Sequence, residues 1–259
     1  MDYSTDRYRA TAVSWTLHAM KSLLGLKTVR NKVLKYFCPT IENLHQAETF
    51  DAFQPTADLL LYCEQIRHSH PYVVFTASNC AEDVAEPETH YQAFYLDNVN
   101  KHLYMIDPAR KNNADGIYTP FIALDTIQPF YEQHGYVCQF IEMTHPAQST
   151  TRDVFCQSWS LYILLNILQN NQLLQHGRDI HNVVFIPKKQ LDRYAVLLDF
   201  YQMLLRIPTL SQLLVDEYVA ELTSNKDLIL AEGTARDYKY LISMDPVSLV
   251  MQMEKEDMK

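Results

Sequence analysis

The chain has 259 residues, 47% of them apolar, and a formal net charge of −9, so it can bury a core of its own while its acidic balance disfavours broad nucleic-acid binding. Only five residues are glycine, at positions 25, 116, 135, 177 and 233, against an average of about 7%. Phosphate-cradling loops need clustered glycines for close backbone approach, and this scatter argues against Rossmann and P-loop nucleotide binding.

In chain order, residues 7–37 contain few breakers and predict one or two helices, separated at Gly25. Residues 54–70 predict a further helix, with Pro55 in its first turn and a stripe of Leu59, Leu60, Cys63 and Ile66. The run at 72–76, YVVFT, predicts a short buried strand. A polar loop carrying Glu82, Asp83, Glu86 and Glu88 follows. Residues 90–107 read HYQAFYLDNVNKHLYMID, two β-rich runs around a polar turn at 97–100, and predict a β-hairpin. A loop with Asp115-Gly116 leads to a helix over 120–134, which Gly135 closes. Residues 136–142 predict a strand, and a loop with Pro146 and Gln148 leads to an apolar helix over 156–168. A short strand at 182–186 and helices at 191–206, 210–222 and 246–253 complete the expectation, with Pro208 as a break. Helices, then mixed strands and helices, then helices again make an α+β class.

The five cysteines, Cys38, Cys63, Cys80, Cys138 and Cys156, are odd in number and form no CxxC pair. They read as free thiols of a reducing compartment. The start lacks the apolar run of a signal peptide, and no apolar stretch approaches a membrane span, so no membrane association is expected. No metal site is expected either: Cys63, His68, His70 and Cys80 have loose spacing, and His134, Cys138 and His145 are weaker still. Residues 1–36 carry seven Lys/Arg against two Asp/Glu. That basic start suits a solvated helix face, or weak docking of an acidic partner or nucleic acid.

The hairpin carries chemistry. A tight turn that sets Asp97 opposite Asn100 sets His90 opposite Asp107, Gln92 opposite Met105 and Phe94 opposite Leu103, with Tyr91 and Tyr95 on the other face. Opposed residues share a face, with Cβ atoms about 5 Å apart. A carboxylate beside an imidazole holds its tautomer and stabilises the imidazolium; such cross-strand pairs also occur as purely structural features. Cys156 stands where loop gives way to helix, with Asp153 as a plausible N-cap. A helix N-terminus lowers a thiol pKa, and a cysteine there with a His–Asp pair elsewhere matches a cysteine hydrolase. Gln148, eight residues upstream, has a side-chain amide able to donate to an oxyanion beside the Cys156 N–H. The plainer reading is that Cys156 is a small buried residue opening an apolar helix.

The segment HYQAFYL…LYMIDP at 90–108 resembles the active-site hairpin of adenain, the adenovirus maturation protease, and that of the SUMO-deconjugating cysteine proteases. In those families an acidic residue follows the His by seventeen positions, as Asp107 follows His90. A loop Gln then precedes a Cys that opens a central helix, as Gln148 precedes Cys156. The phrase DVFCQSWSL at 153–161 also resembles uncharacterised proteins of large nucleocytoplasmic DNA viruses. Two departures stand out: Tyr91 replaces the usual Trp, and Gln157 follows the Cys where Gly is usual.

The resemblance implies an adenain-like (papain-like) core over 70–170 with a mixed central sheet. A helical N-terminal extension over 1–69 and a mostly helical C-terminal extension over 171–259 flank it. It implies a cysteine protease, with Cys156 as nucleophile, His90 as general base then acid, Asp107 orienting His90, and Gln148 in the oxyanion hole. Gln157, Tyr91 and Trp159 are candidate substrate contacts, although Trp159, one turn after Cys156, suits the core better than substrate. It implies hydrolysis of an amide or isopeptide bond through a thioester, with no cofactor. The substrate would be a viral precursor protein or a ubiquitin-like conjugate, in the host cytoplasm or virion, with other virion proteins as partners. The competing expectation is an inactive protease-fold scaffold of a virus particle.

Overall fold

The computed structural model describes residues 24, 26–37, 44–49, 57–79, 90–109, 126–141, 143, 145–148, 155–169 and 184–213. Expectations for residues 1–23, the acidic loop at 80–89, residues 110–125, Asp153 and everything after 213 lie outside this set. The chain divides into two compact units, Arg30–Ile186 and the combination of Met1–Val29 with Pro187–Lys259.

In the larger unit the elements are helix α1 (Lys27–Phe37, begun before the unit boundary), β1 (Leu44–Thr49), α2 (Ala57–Ile66), β2 (Tyr72–Asn79), β3 (His90–Asp97), β4 (His102–Ile106), α3 (Gln128–Gln133), β5 (Val137–Phe140) and α4 (Cys156–Gln169). The five strands form one sheet in the order β1-β2-β3-β4-β5. β1 runs parallel to β2 and β5 parallel to β4, while β3 runs antiparallel to both of its neighbours, β2 and β4. The α+β class follows from this mixed sheet and its helices.

Strand side chains alternate between faces. Val73, Phe75 and Ala77 of β2, Phe94 and Leu96 of β3, and Leu103 and Met105 of β4 share one face. They pack with Leu59, Cys63 and Ile66 of α2 and with Ile127, Tyr131 and Tyr136 around α3. Phe75 and Phe94 stack across the strands with ring centroids 4.7 Å apart. Leu60, assigned to this stripe from the sequence, is instead exposed, one position off the buried helix face. On the opposite sheet face the guanidinium of Arg30, from α1, lies 4.8 Å from the Tyr91 ring centroid. β3 is buried at every position, as a central strand covered on both sides must be. α4 packs against β3 and β4.

The helix before β5 ends as its glycine predicts. Gly135 has φ +77; its N–H donates to Glu132 O, and the N–H of Tyr136 donates to Tyr131 O, both at 3.0 Å. These are the two bonds of a Schellman cap.

Three expectations are corrected. The hairpin turn is wider than a two-residue loop: Asp97 pairs with His102, and Asn98–Lys101 form the loop. The cause is the Asp97 carboxylate. Its Oδ1 accepts the N–H groups of Val99 (3.0 Å) and Asn100 (2.9 Å), and its Oδ2 accepts the Asn100 amide (2.8 Å). Lys101 closes the loop with φ 53. Register therefore moves by two residues, so Phe94 faces Met105 and Tyr95 faces Tyr104. The shift is even, so no residue changes face.

Second, the expected division at residue 69 is absent: β1 joins the sheet and α2 covers it, so both belong with the core. The β1 sequence, LHQAET, lacks a β-branched or aromatic run and gave no strand signal. Third, the strand expected at 182–186 reduces, among the described residues, to one parallel bridge from Val184 to Met143.

In the smaller unit, α5 (Gln190–Arg206) is fastened at its start by Arg193. The guanidinium donates to Pro187 O at 2.8 Å and Lys188 O at 2.6 Å. Residues 208–213 are again helical. No described helix is long and apolar enough to cross a membrane.

Asp97→Ala removes all three loop bonds. It is expected to lower the stability of the sheet unit by about 2 kcal/mol, read from the denaturant midpoint; a change within ~0.3 kcal/mol would show that Asp97 does not hold the loop.

Candidate functional site

His90 opens β3, and Asp107 is the first residue after β4. Extending the observed register by one residue sets Asp107 opposite Gln92 rather than His90. The wider turn moves His90 from direct opposition to a diagonal, still on the same face. That diagonal closes: His90 Nε2 lies 2.8 Å from Asp107 Oδ1. Both side chains are almost wholly buried, at 3% and 1% exposure.

A buried carboxylate requires compensation, and Asp107 has it. The same Oδ1 accepts the Ala109 N–H at 2.9 Å, and Oδ2 accepts the Gln92 amide at 2.8 Å. Gln92 is itself buried. Gln148, also buried, is anchored beside the pair, where its backbone N–H donates to Pro108 O at 2.8 Å.

Cys156 is the first residue of α4, where unpaired helix N–H groups and the positive end of the macrodipole gather. The first turn is marked by the Trp159 N–H donating to Phe155 O at 2.9 Å. Phe155 therefore occupies the N-cap position expected for Asp153.

The Cys156 thiol is near enough to act electrostatically on His90, together with Asp107. Burial pulls the His90 pKa down, but the hydrogen bonds and negative charges of Asp107 and Cys156 outweigh it, and the pKa is raised from 6.5 to about 10. Burial pushes the thiols of Cys63 and Cys138 up to about 12, which makes them poor nucleophiles at neutral pH.

The structure thus brings Cys156, His90 and Asp107 together and seats Gln148 at Pro108. It does not treat the expected substrate contacts alike. Gln157 is half-buried, with its Oε1 3.8 Å from the Cys156 sulfur as acceptor. Tyr91 lies on the sheet face away from His90, beneath Arg30, and its carbonyl accepts the Ser160 hydroxyl at 3.1 Å. Trp159 is fully buried, edge-on to Tyr162. Tyr91 and Trp159 are therefore core residues rather than contact surface. Neighbours on a strand alternate faces, so Tyr91 could not accompany His90.

Gln92 was missed as a site residue. The available signal was a lone amide two residues after His90, on a face otherwise occupied by Phe94 and Leu96. Among the described residues, no three His, Cys, Asp or Glu side chains converge as metal ligands. Cys63 belongs to the apolar core and His68 faces Glu64 at 3.5 Å.

No protein-family model matches the chain, and no curated protein matches it. Among solved structures, the Legionella pneumophila effector protein RavZ aligns over 81% of this chain and 75% of its own, at 12% identity and a TM-score of 0.30. RavZ in complex with human LC3B aligns over 77% and 66%, at 12% identity and a TM-score of 0.23. Likeness at that level assigns neither fold nor activity.

A raised His90 pKa fixes the sign of its pH dependence. Its favourable contribution to folding is complete below the ordinary value of 6.5 and is lost as pH rises through about 10. An NMR titration is expected to find His90 still protonated at pH 8, and Asp107→Asn to lower its pKa. Titration of His90 near 6.5 in the native chain would mean that the pair does not form.

Proposed function

We propose that the chain is a cysteine protease or isopeptidase working through Cys156, His90 and Asp107 on an adenain-like core. The observation that carries this reading is the buried His90, hydrogen-bonded to Asp107 through Nε2 and acted on electrostatically by the Cys156 thiol. A nucleophile, a base within reach of it and a third group orienting the base are the parts that thiol acyl transfer requires.

The steps follow from those positions. His90 Nδ1 holds the proton of the Cys156 thiol, and the thiolate attacks the carbonyl carbon of the scissile bond. The developing oxyanion is met by the Cys156 backbone N–H and the Gln148 side-chain amide. Collapse forms the thioester, and His90 gives its proton to the leaving amine. Water then attacks the thioester with His90 as base, releasing the acid and restoring the thiol. Asp107 accepts the Nε2 proton's hydrogen bond and orients the ring, so Nδ1 is the nitrogen that exchanges the proton.

The substrate class is a protein, either a precursor or a ubiquitin-like conjugate. Assignment to a virion or host cytoplasm rests on the sequence resemblance alone and adds no residue to the site.

One observation favours the inactive scaffold as a second reading. The Gln157 side chain stands 3.8 Å from the sulfur, where a glycine would leave open space for a substrate chain.

Reactivity separates the two. Iodoacetamide alkylation of Cys156 near pH 7 is expected to fall at least ~10-fold in His90→Ala, and hydrolysis of a peptide or ubiquitin-like substrate to fall ~10³-fold. An unchanged alkylation rate in His90→Ala would sink the enzyme reading. Gln148→Ala is expected to lower kcat ~10²-fold with little change in KM, as measured by steady-state kinetics.

A further inference from the structure

We propose that Gln92 is a positioning residue: its side-chain amide fixes the rotation of the Asp107 carboxylate and so presents Oδ1 to His90. The proposal extends the Cys156–His90–Asp107 reading, and rests on it only for the catalytic consequence.

A carboxylate rotates about its terminal bond in a broad, roughly two-fold well. Something must choose which oxygen faces the imidazole and at what angle. The Ala109 N–H fixes only Oδ1, the oxygen that His90 already uses. Gln92 Nε2 donates to Oδ2 at 2.8 Å and fixes the other end of the group. With both oxygens held, the carboxylate plane is set. His90 and Gln92 are two residues apart on β3, on one face, about 7 Å along the strand. A single strand therefore addresses both oxygens of one carboxylate.

The choice of an amide has a physical reason. Gln92 follows the same row as Phe94 and Leu96, where an apolar residue would pack at no polar cost. A buried amide is unfavourable there unless hydrogen-bonded. A lysine or arginine would bond Oδ2 as well, but would cancel the negative charge that keeps His90 protonated. A neutral donor orients the carboxylate and leaves its charge for the imidazole. The observed register gives the same answer independently, because it makes Gln92, and not His90, the residue directly across from Asp107.

The test uses the full chain with Gln92→Met, which keeps side-chain volume and removes the donor. Two quantities are read: the His90 titration by NMR, and the pH profile of Cys156 alkylation by iodoacetamide. The His90 pKa is expected to fall by about one unit, equivalent to a tenfold change in the protonation equilibrium. Alkylation at pH 7 is expected to fall about tenfold. Gln92→Asn, one methylene shorter and still polar, is read in the same way should Gln92→Met fail to fold. A lower melting temperature with an unshifted His90 titration would overturn the proposal, since it would make Gln92 a packing residue only. Failure of the protease reading looks different: His90→Ala would leave alkylation unchanged, while the effect of Gln92→Met on the His90 titration would persist.

Discussion

The burial of one carboxylate governs this region. Asp107 lies at the end of β4 with 1% of its side chain exposed, where an uncompensated charge would cost several kcal/mol. Its compensation comes from three groups: His90 and Gln92 at the start of β3 and the Ala109 backbone N–H in the turn beyond. Pro108, between Asp107 and Ala109, accepts the backbone N–H of Gln148. Satisfying a single charge therefore closes the open end of the hairpin, shapes the turn after β4 and draws in the loop that leads towards α4.

The sheet supplies the rigidity this requires. β3 is flanked by β2 and β4 and buried on both faces, so His90 stands on a strand that cannot slide without displacing two ladders. The two faces have different tasks. One carries the stacked Phe75–Phe94 pair and the helices α2 and α3, ending in His90, Gln92 and Asp107. On the other, Arg30 lies over Tyr91, while Ser160 of α4 bonds the Tyr91 carbonyl. That last bond ties the strand bearing the imidazole to the helix bearing the thiol.

Much of this was legible in the sequence where local signals were strong. Two β-rich runs around a polar turn marked β3 and β4, Gly135 marked the end of α3, and the spacing of His90 and Asp107 placed them on one face. The register was two residues off, because a side chain, Asp97, widens the turn, and turn dipeptides do not report side-chain caps. The identity of the face survived, since it depends only on parity. β1 left no trace because an edge strand of LHQAET has neither alternation nor β-formers, and the domain boundary at 69 failed with it. Trp159 packs in the core, as its place one turn after Cys156 favoured, whereas Tyr91 lies on the sheet face away from His90, because nearness in sequence to a reactive group says nothing about which way a side chain points.

The hairpin loop at Asn98–Lys101 has a further consequence. It lies at the far end of β3 from the candidate site, about 24 Å away along a seven-residue run of strand, and it bears Val99, 63% exposed. The faces of β3 and β4 are set by their ladders and core packing rather than by loop length, so residues added at this tip leave both strands as they are. The tip is thus a natural insertion point for a fluorophore or affinity handle.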